Sequence, residues 1–195
     1  MSLPARSLAV TLLLLFALAT GCGAGQSTVA PEKLSLPTMD GKTLAPFGRN
    51  NAKVIAFVFL GAECPISNRY APEVQRLYDK FTAQGAALWL VYPNGGEMDE
   101  TVRKHMKEFR YNAPALRDPK HELVRLAKVR VTPEAAIFRR SGELIYHGRI
   151  DDRNVDFGKE RPEATSHDFE EALNAAINGK TPKAAGGRAV GCPIQ

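Results

Sequence analysis

Only three of the 195 residues are cysteine, and one is tryptophan. Three thiols are too few to build a disulfide scaffold, so any cysteine chemistry belongs to individual side chains. The histidines, His105, His121, His147 and His167, stand far apart with no cysteine or carboxylate at ligand spacing, which argues against a zinc site. Net charge is small: 26 Lys and Arg against 21 Asp and Glu leave a formal +5. The basic residues are scattered and not interleaved with aromatics, so no nucleic-acid partner is expected. Asp40-Gly41 and Gly95-Gly96 read as turns, and neither makes a phosphate loop. Internal repeats are absent. No apolar run reaches the roughly 20 residues that cross a bilayer as a helix. With 44% hydrophobic and 24% charged residues, what remains is an ordinary folded chain.

The N-terminus carries an address. Arg6 precedes an apolar run over residues 8–19 that stops at Thr20-Gly21-Cys22. A basic start, a short apolar core and small residues before a cut site describe an export signal over residues 1–21. Cys22 resembles the acceptor of a bacterial lipoprotein signal, although Ala19 stands where leucine is usual. Lipidation at Cys22 implies a membrane anchor; plain secretion is the other reading. Either way the chain is expected in the periplasm or outer envelope, an oxidising compartment. Residues 22–31 read as a small, polar tether, 32–180 as one folded domain, and 181–195, rich in Gly, Ala and Pro, as an arm.

Within the domain, residues 54–60 (VIAFVFL) and 87–92 (ALWLVY) are continuous β-branched and aromatic runs, as in strands buried on both faces. Between them Tyr70, Val74, Leu77, Tyr78 and Phe81 recur at helical spacing over residues 67–81. Val102, His105, Met106 and Phe109 give a second helix, and Leu123, Leu126 and Ala127 a short third. Residues 135–138 and 144–147 flank Ser141-Gly142 as a hairpin. Phe169, Ala172, Leu173, Ala176 and Ile177 mark a last helix, with Thr165 or Ser166 to cap it and Gly179 to end it. Strands alternating with helices predict an α/β domain whose central sheet is covered on both faces.

The chemistry centres on Cys64. It follows a buried strand, and Pro65 opens the next helix without loss because the first-turn N–H has no partner there. Helix N-terminal amides favour thiolate over thiol. Ser67 sits where its hydroxyl and backbone N–H can turn back to the sulfur, whereas Glu63 opposes ionisation unless it faces solvent. A buried, inert cysteine is the alternative. Arg69 reads as part of a solvated helix face, and Asp151-Asp152-Arg153 as a turn or surface ion pair.

The run Gly61-Ala62-Glu63-Cys64-Pro65-Ile66-Ser67, with Pro72 eight residues after Cys64, resembles the active-site region of the thioredoxin superfamily. Val131-Thr132-Pro133 resembles its cis-proline segment. Ala115-Leu116-Arg117-Asp118 and Gly148 resemble the redoxin branch, which holds the thiol-specific antioxidant (AhpC/TSA-like) proteins and envelope-anchored thioredoxin-like reductases. The resemblance implies a thioredoxin fold with a mixed central sheet. It further implies a catalytic Cys64 assisted by Ser67, with Thr132 and Pro133, presenting backbone, and Pro65 as the substrate-binding residues. No organic cofactor or metal is implied. Two departures matter. Ser67 replaces the second cysteine of Cys-x-x-Cys, and Phe57 and Gly61 stand where peroxiredoxins carry proline and a hydroxyl residue.

Cys192, in the arm, is the candidate partner, with Gly186-Gly187 as a possible hinge. A long loop closes at little extra entropy because the cost grows logarithmically. A resolving thiol, a static disulfide and an unpaired thiol all stay open for it. The expected activity is thiol–disulfide exchange on a protein or small-molecule disulfide, with an external thiol as reductant. The alternatives are a peroxidase acting on peroxide and a non-catalytic binding module.

Overall fold

The structure is a computed structural model that describes residues 29–48, 51–182 and 187–195. The export signal over 1–21, Cys22, most of the 22–31 tether and Gly186 lie outside the described residues. No helix among the described residues is long and apolar enough to cross a membrane.

A 3-10 turn at Pro31–Lys33 leads into a small antiparallel pair, β1 (Leu36–Pro37) and β2 (Thr43–Leu44), around the Asp40-Gly41 turn. β3 (Val54–Phe59) follows, then α1 (Pro65–Arg69), α2 (Ala71–Thr82), β4 (Ala86–Tyr92), α3 (Asp99–Glu108), β5 (Ala115–Arg117) and α4 (Glu122–Ala127). The chain continues through β6 (Val131–Thr132), β7 (Glu134–Arg139) and β8 (Leu144–Gly148). A surface pair, β9 (Asn154–Asp156) and β10 (Lys159–Glu160), precedes α5 (Asp168–Ile177), and β11 (Cys192–Pro193) ends the chain.

The central sheet has the order β5-β4-β3-β7-β8; β3, β4 and β5 are parallel, β7 runs antiparallel to β3, and β8 antiparallel to β7. It is the doubly covered sheet that the strand patterns predict, and mixed, as the resemblance implies. β3 is buried at every position because its side chains alternate between two cores. Val54, Ala56 and Val58 face α2 and α5 through Val74, Leu77, Phe81 and Phe169. Ile55, Phe57 and Phe59 face Leu34, Phe47 and the α4 residues Leu123, Val124 and Ala127. Phe57 stacks on Trp89 at 5.7 Å and meets Phe138 edge-on at 5.8 Å. Burying a side chain of this size is worth about 1.5–3 kcal/mol, so β3 is the anchor from which the site is hung.

Four expectations are corrected. The helix expected over 67–81 is two helices meeting at Tyr70, because Pro72 lacks the N–H that would carry one helix through. Thr165 and Ser166 do not cap α5, whose first flanking residue is His167; their backbone N–H groups instead donate to Asp152. Asp151 and Asp152 are buried rather than surface residues, Asp151 accepting from Tyr70 Oη at 2.5 Å. The arm ends as a paired strand, with Val190 and Cys192 packed on one core and Ile194 on the other. Gly179 ends α5 as expected, at φ +73°.

Candidate functional site

The site forms where β3 leaves the sheet. Phe59 stands opposite Glu134 in the β3–β7 register, so two further steps bring Gly61 against Thr132. Thr132–Pro133 is a cis peptide bond, and β6 ends there. The approach is close: a Cβ on Gly61 would lie 2.9 Å from Thr132 Oγ1 and 3.2 Å from Cys64 Cβ. Only the absence of a side chain at 61 lets the two segments meet.

Cys64 flanks the start of α1 in extended conformation, with Pro65 at the first helical position. It is 4% exposed. Its thiol donates to Thr132 O, with the sulfur 3.1 Å away. Ser67 is fully buried and accepts the Gly61 N–H on Oγ at 3.2 Å. Burial pushes the Cys64 thiol up. The Cys192 thiol, the Ser67 N–H and hydroxyl, and the Cys192 N–H all favour the thiolate, and together they hold Cys64 below its ordinary value. Named donors carry this effect rather than a long macrodipole, since α1 has only five residues. Glu63 faces solvent. Cys192 shifts the other way, pushed up to about 12 by burial, by its hydrogen bond to Cys64 and by the adjacent negative charge. The proton of the pair therefore stays on Cys192.

The structure thus brings together Cys64, Ser67, Thr132, Pro133 and Cys192, all proposed from the sequence, with Pro65 exposed at the rim. Cys64 and Cys192 are both free thiols. A cleft of about 390 Å³ opens beside them, lined by Glu63, Asn94, Glu97, Thr101 and Gln195 among others.

Sequence reasoning missed a second layer. Glu97 accepts the Ala62 N–H on Oε1 at 2.9 Å and the Asn94 amide at 3.2 Å. Arg117, buried at the end of β5, lies 3.6 Å from Glu97 Oε2 and 3.2 Å from Asp99, and donates to the Asn94 carbonyl. Asn94 Oδ1 then accepts the Gln195 N–H at 3.1 Å, tying the end of the arm to the Cys64 turn. The residues near 94 read from sequence only as a strand-ending turn.

Arg69 pairs with Glu160 at 3.0 Å, which leaves it a surface role. The fold does bring His167 to Glu73 and Glu170, with ligand-type atoms within 4.8 Å of one another, contrary to the expectation from spacing. Both carboxylates are already engaged there, Glu73 by Arg76 and Glu170 by Arg76 and Lys80. The cluster is an ion-pair strut between α2 and α5.

The AhpC/TSA family model matches residues 28–147, well over half the chain. The chain belongs to the AhpC/TSA family. Cys64 and Thr132–Pro133 fall inside the matched segment, whereas Cys192 lies beyond it. No curated protein matches the chain. Among solved structures, a hypothetical protein from Sinorhizobium meliloti 1021 is 26% identical, with a TM-score of 0.67 over 83% of this chain and 89% of that one. An uncharacterised conserved protein from Geobacillus kaustophilus gives the same score at 21% identity, over 83% and 87%. A secreted Mycobacterium tuberculosis disulfide oxidoreductase homologous to E. coli DsbE is 11% identical, with a TM-score of 0.51 over 76% and 97%. The latter two likenesses bear on the fold alone. The matched family is the redoxin branch that the motifs resemble, and the likenesses to solved structures agree with a thioredoxin-like fold.

Proposed function

We propose that the protein is an exported thiol–disulfide oxidoreductase in which Cys64 attacks and Cys192 resolves. One observation carries this reading: Cys192 stands opposite Thr132, whose carbonyl oxygen lies 3.1 Å from Cys64 Sγ, and both cysteines line one cleft. The Cys64 thiolate attacks one sulfur of a client disulfide, forming a mixed disulfide and releasing the other client sulfur as thiolate. That thiolate takes up a proton. Cys192 then loses its proton and attacks Cys64 sulfur, forming a Cys64–Cys192 disulfide and releasing the second client thiol. The client gains two electrons and the pair loses them; an external thiol returns the pair to its reduced state. Ser67, unable to form a disulfide, serves instead as hydrogen-bond donor to the attacking sulfur.

The export reading rests on Arg6, the apolar run over 8–19 and Cys22. It includes a lipid anchor at Cys22, so Cys22→Ala should move the protein from the membrane to the soluble fraction. The redox reading is tested by oxidation and peptide mapping, with stopped-flow reaction against a protein disulfide and hydrogen peroxide. The expected product is a Cys64–Cys192 disulfide. With Cys192→Ser, the mixed disulfide should accumulate after one turnover. Wild-type turnover by that variant without added thiol would remove Cys192 from the cycle. Fast reaction with peroxide and none with disulfide would replace this reading by a peroxidase one.

A further inference from the structure

β11 runs antiparallel to β6, with Cys192 opposite Thr132 and Pro193 opposite Val131. The residue before Cys192 therefore crosses directly over the Thr132–Pro133 peptide. A Cβ at Gly191 would stand 2.3 Å from Thr132 O, 2.7 Å from Thr132 C and 3.1 Å from Pro133 N. All three are backbone atoms. Thr132 is fully buried, and the chain after Pro133 enters the central sheet as β7, so this peptide has no room to retreat. Contacts hold the arm beyond Gly191: Ile194 N–H donates to Arg130 O at 3.2 Å, and Gln195 N–H to Asn94 Oδ1 at 3.1 Å. Val190 packs on the core just before it.

We propose that Gly191 is the positioning residue of the cysteine pair: only a residue without a side chain lets the arm lie close enough on Thr132–Pro133 to set Cys192 against Cys64. The proposal rests on the redox reading above and adds what makes the pairing possible. A side chain at 191 lifts the arm from β6 and carries Cys192 away, while Cys64, Ser67 and Thr132, on β3, α1 and β6, stay in place. The charged or titratable groups that line the cleft beside Cys64 are Cys192 from the arm, Glu63 on the Cys64 turn, its side chain towards solvent, and Glu97 from the loop after β4, held by Arg117. Of these, only Cys192 moves. Cys64 then loses the thiol and N–H donors of Cys192 and keeps those of Ser67.

The experiment compares wild type, Gly191→Ala and Gly191→Val in the full chain. Three readouts are taken: amide exchange over residues 190–195, Cys64 alkylation against pH, and the rate at which a Cys64 mixed disulfide with a small aromatic thiol resolves. In Gly191→Val, exchange over 190–195 should rise at least about tenfold, as for a released segment. The alkylation midpoint should move up, the high-pH plateau should increase as the sulfur is uncovered, and resolution should slow at least about tenfold. Formation of the mixed disulfide should persist. Gly191→Ala should show the same changes, and it carries the test if the valine variant does not fold. Wild-type exchange protection and wild-type resolution in the alanine variant would overturn the proposal. An inert Cys64 in wild type would instead sink the redox reading, while amide exchange would still decide whether Gly191 docks the arm.

Discussion

Cys192 stands opposite Thr132 in the β6–β11 pair, the same residue whose carbonyl oxygen lies 3.1 Å from Cys64 Sγ. One buried threonine thus meets the first sulfur through its carbonyl and the second through strand register. Where Cys-x-x-Cys would place a second cysteine stands Ser67, and the fold instead brings Cys192 to Thr132 by strand pairing. The carbonyl accepts a proton from a neutral Cys64 but offers nothing to a thiolate, so the charged form leans on Ser67 and Cys192. In the proposed cycle, reactivity and pairing are therefore coupled.

The first prediction follows from that coupling. Cys64 alkylation should titrate below the roughly 8.5 of a free thiol, because the donors outweigh burial. Below the midpoint the thiol is protonated and slow; above it the thiolate reacts. Ser67→Ala removes the hydroxyl donor but keeps the N–H, so the midpoint should rise by a fraction of the whole shift. A Ser67→Ala profile superimposable on wild type would show that the hydroxyl does not reach the sulfur's charge.

A second prediction concerns Gly61. A Cβ there would stand 2.9 Å from Thr132 Oγ1 and 3.2 Å from Cys64 Cβ, between the two residues joined by the Cys64–Thr132 O contact. Gly61→Ala should cost about 1–3 kcal/mol in denaturant unfolding, the usual range for overpacking a tight site. It should also slow attack on a disulfide by pushing β6 away from Cys64. Unchanged stability and attack rate would mean that the two segments separate without loss.

The fold was largely legible because its signals are local. The runs at 54–60 and 87–92 read as buried strands, and each is found within a residue of its expected place, the second half-buried at Ala87 and Trp89. β5 escaped notice because three residues carry no period, and the α1–α2 break because helical spacing continues across Tyr70. In the site, Cys64, Ser67 and Thr132–Pro133 were visible from short motifs. Cys192 could be nominated as a partner, but its docking depends on a strand pair formed across 60 residues. Arg117 was quoted within a motif but its partner was not, because a lone glutamate in a turn, Glu97, reads as solvated until the fold buries it.

The strut between α2 and α5 gives a third prediction. Glu170 accepts from Arg76 and from Lys80 Nζ at 2.5 Å, and its carboxyl is held down at about 2 chiefly by the Arg76 bond, against burial. A carboxylate lowered on folding stabilises above its unfolded value and loses that contribution as pH falls through its folded one. Glu170→Gln should therefore lower stability by about 0.5–1 kcal/mol at pH 7, since Arg76 and Lys80 are largely solvated. The difference should shrink as pH falls from about 4.5 towards about 2. A pH-independent difference in denaturation midpoints would assign the cost to packing instead.

The last prediction concerns the layer beneath the cysteines. Glu97 is almost fully buried and holds two donors at once, the Ala62 N–H of the Cys64 turn and the Asn94 amide that binds the arm's end. Glu97→Ala leaves Ala62 N–H without its acceptor and Arg117 without its nearest buried carboxylate, although Asp99 remains at 3.2 Å. Removing one partner of a buried polar set costs about 1–3 kcal/mol. Stability should fall by that amount, and both ends of the site should loosen together. Cys64 alkylation should quicken at saturating pH, and amide exchange at residues 194–195 should rise in the same variant. Glu97→Gln keeps an acceptor for Ala62 and should recover most of the alkylation behaviour while losing the ion pair with Arg117. Loosening of the Cys64 turn with unchanged exchange in the arm would show that Asn94 holds Gln195 without help from Glu97.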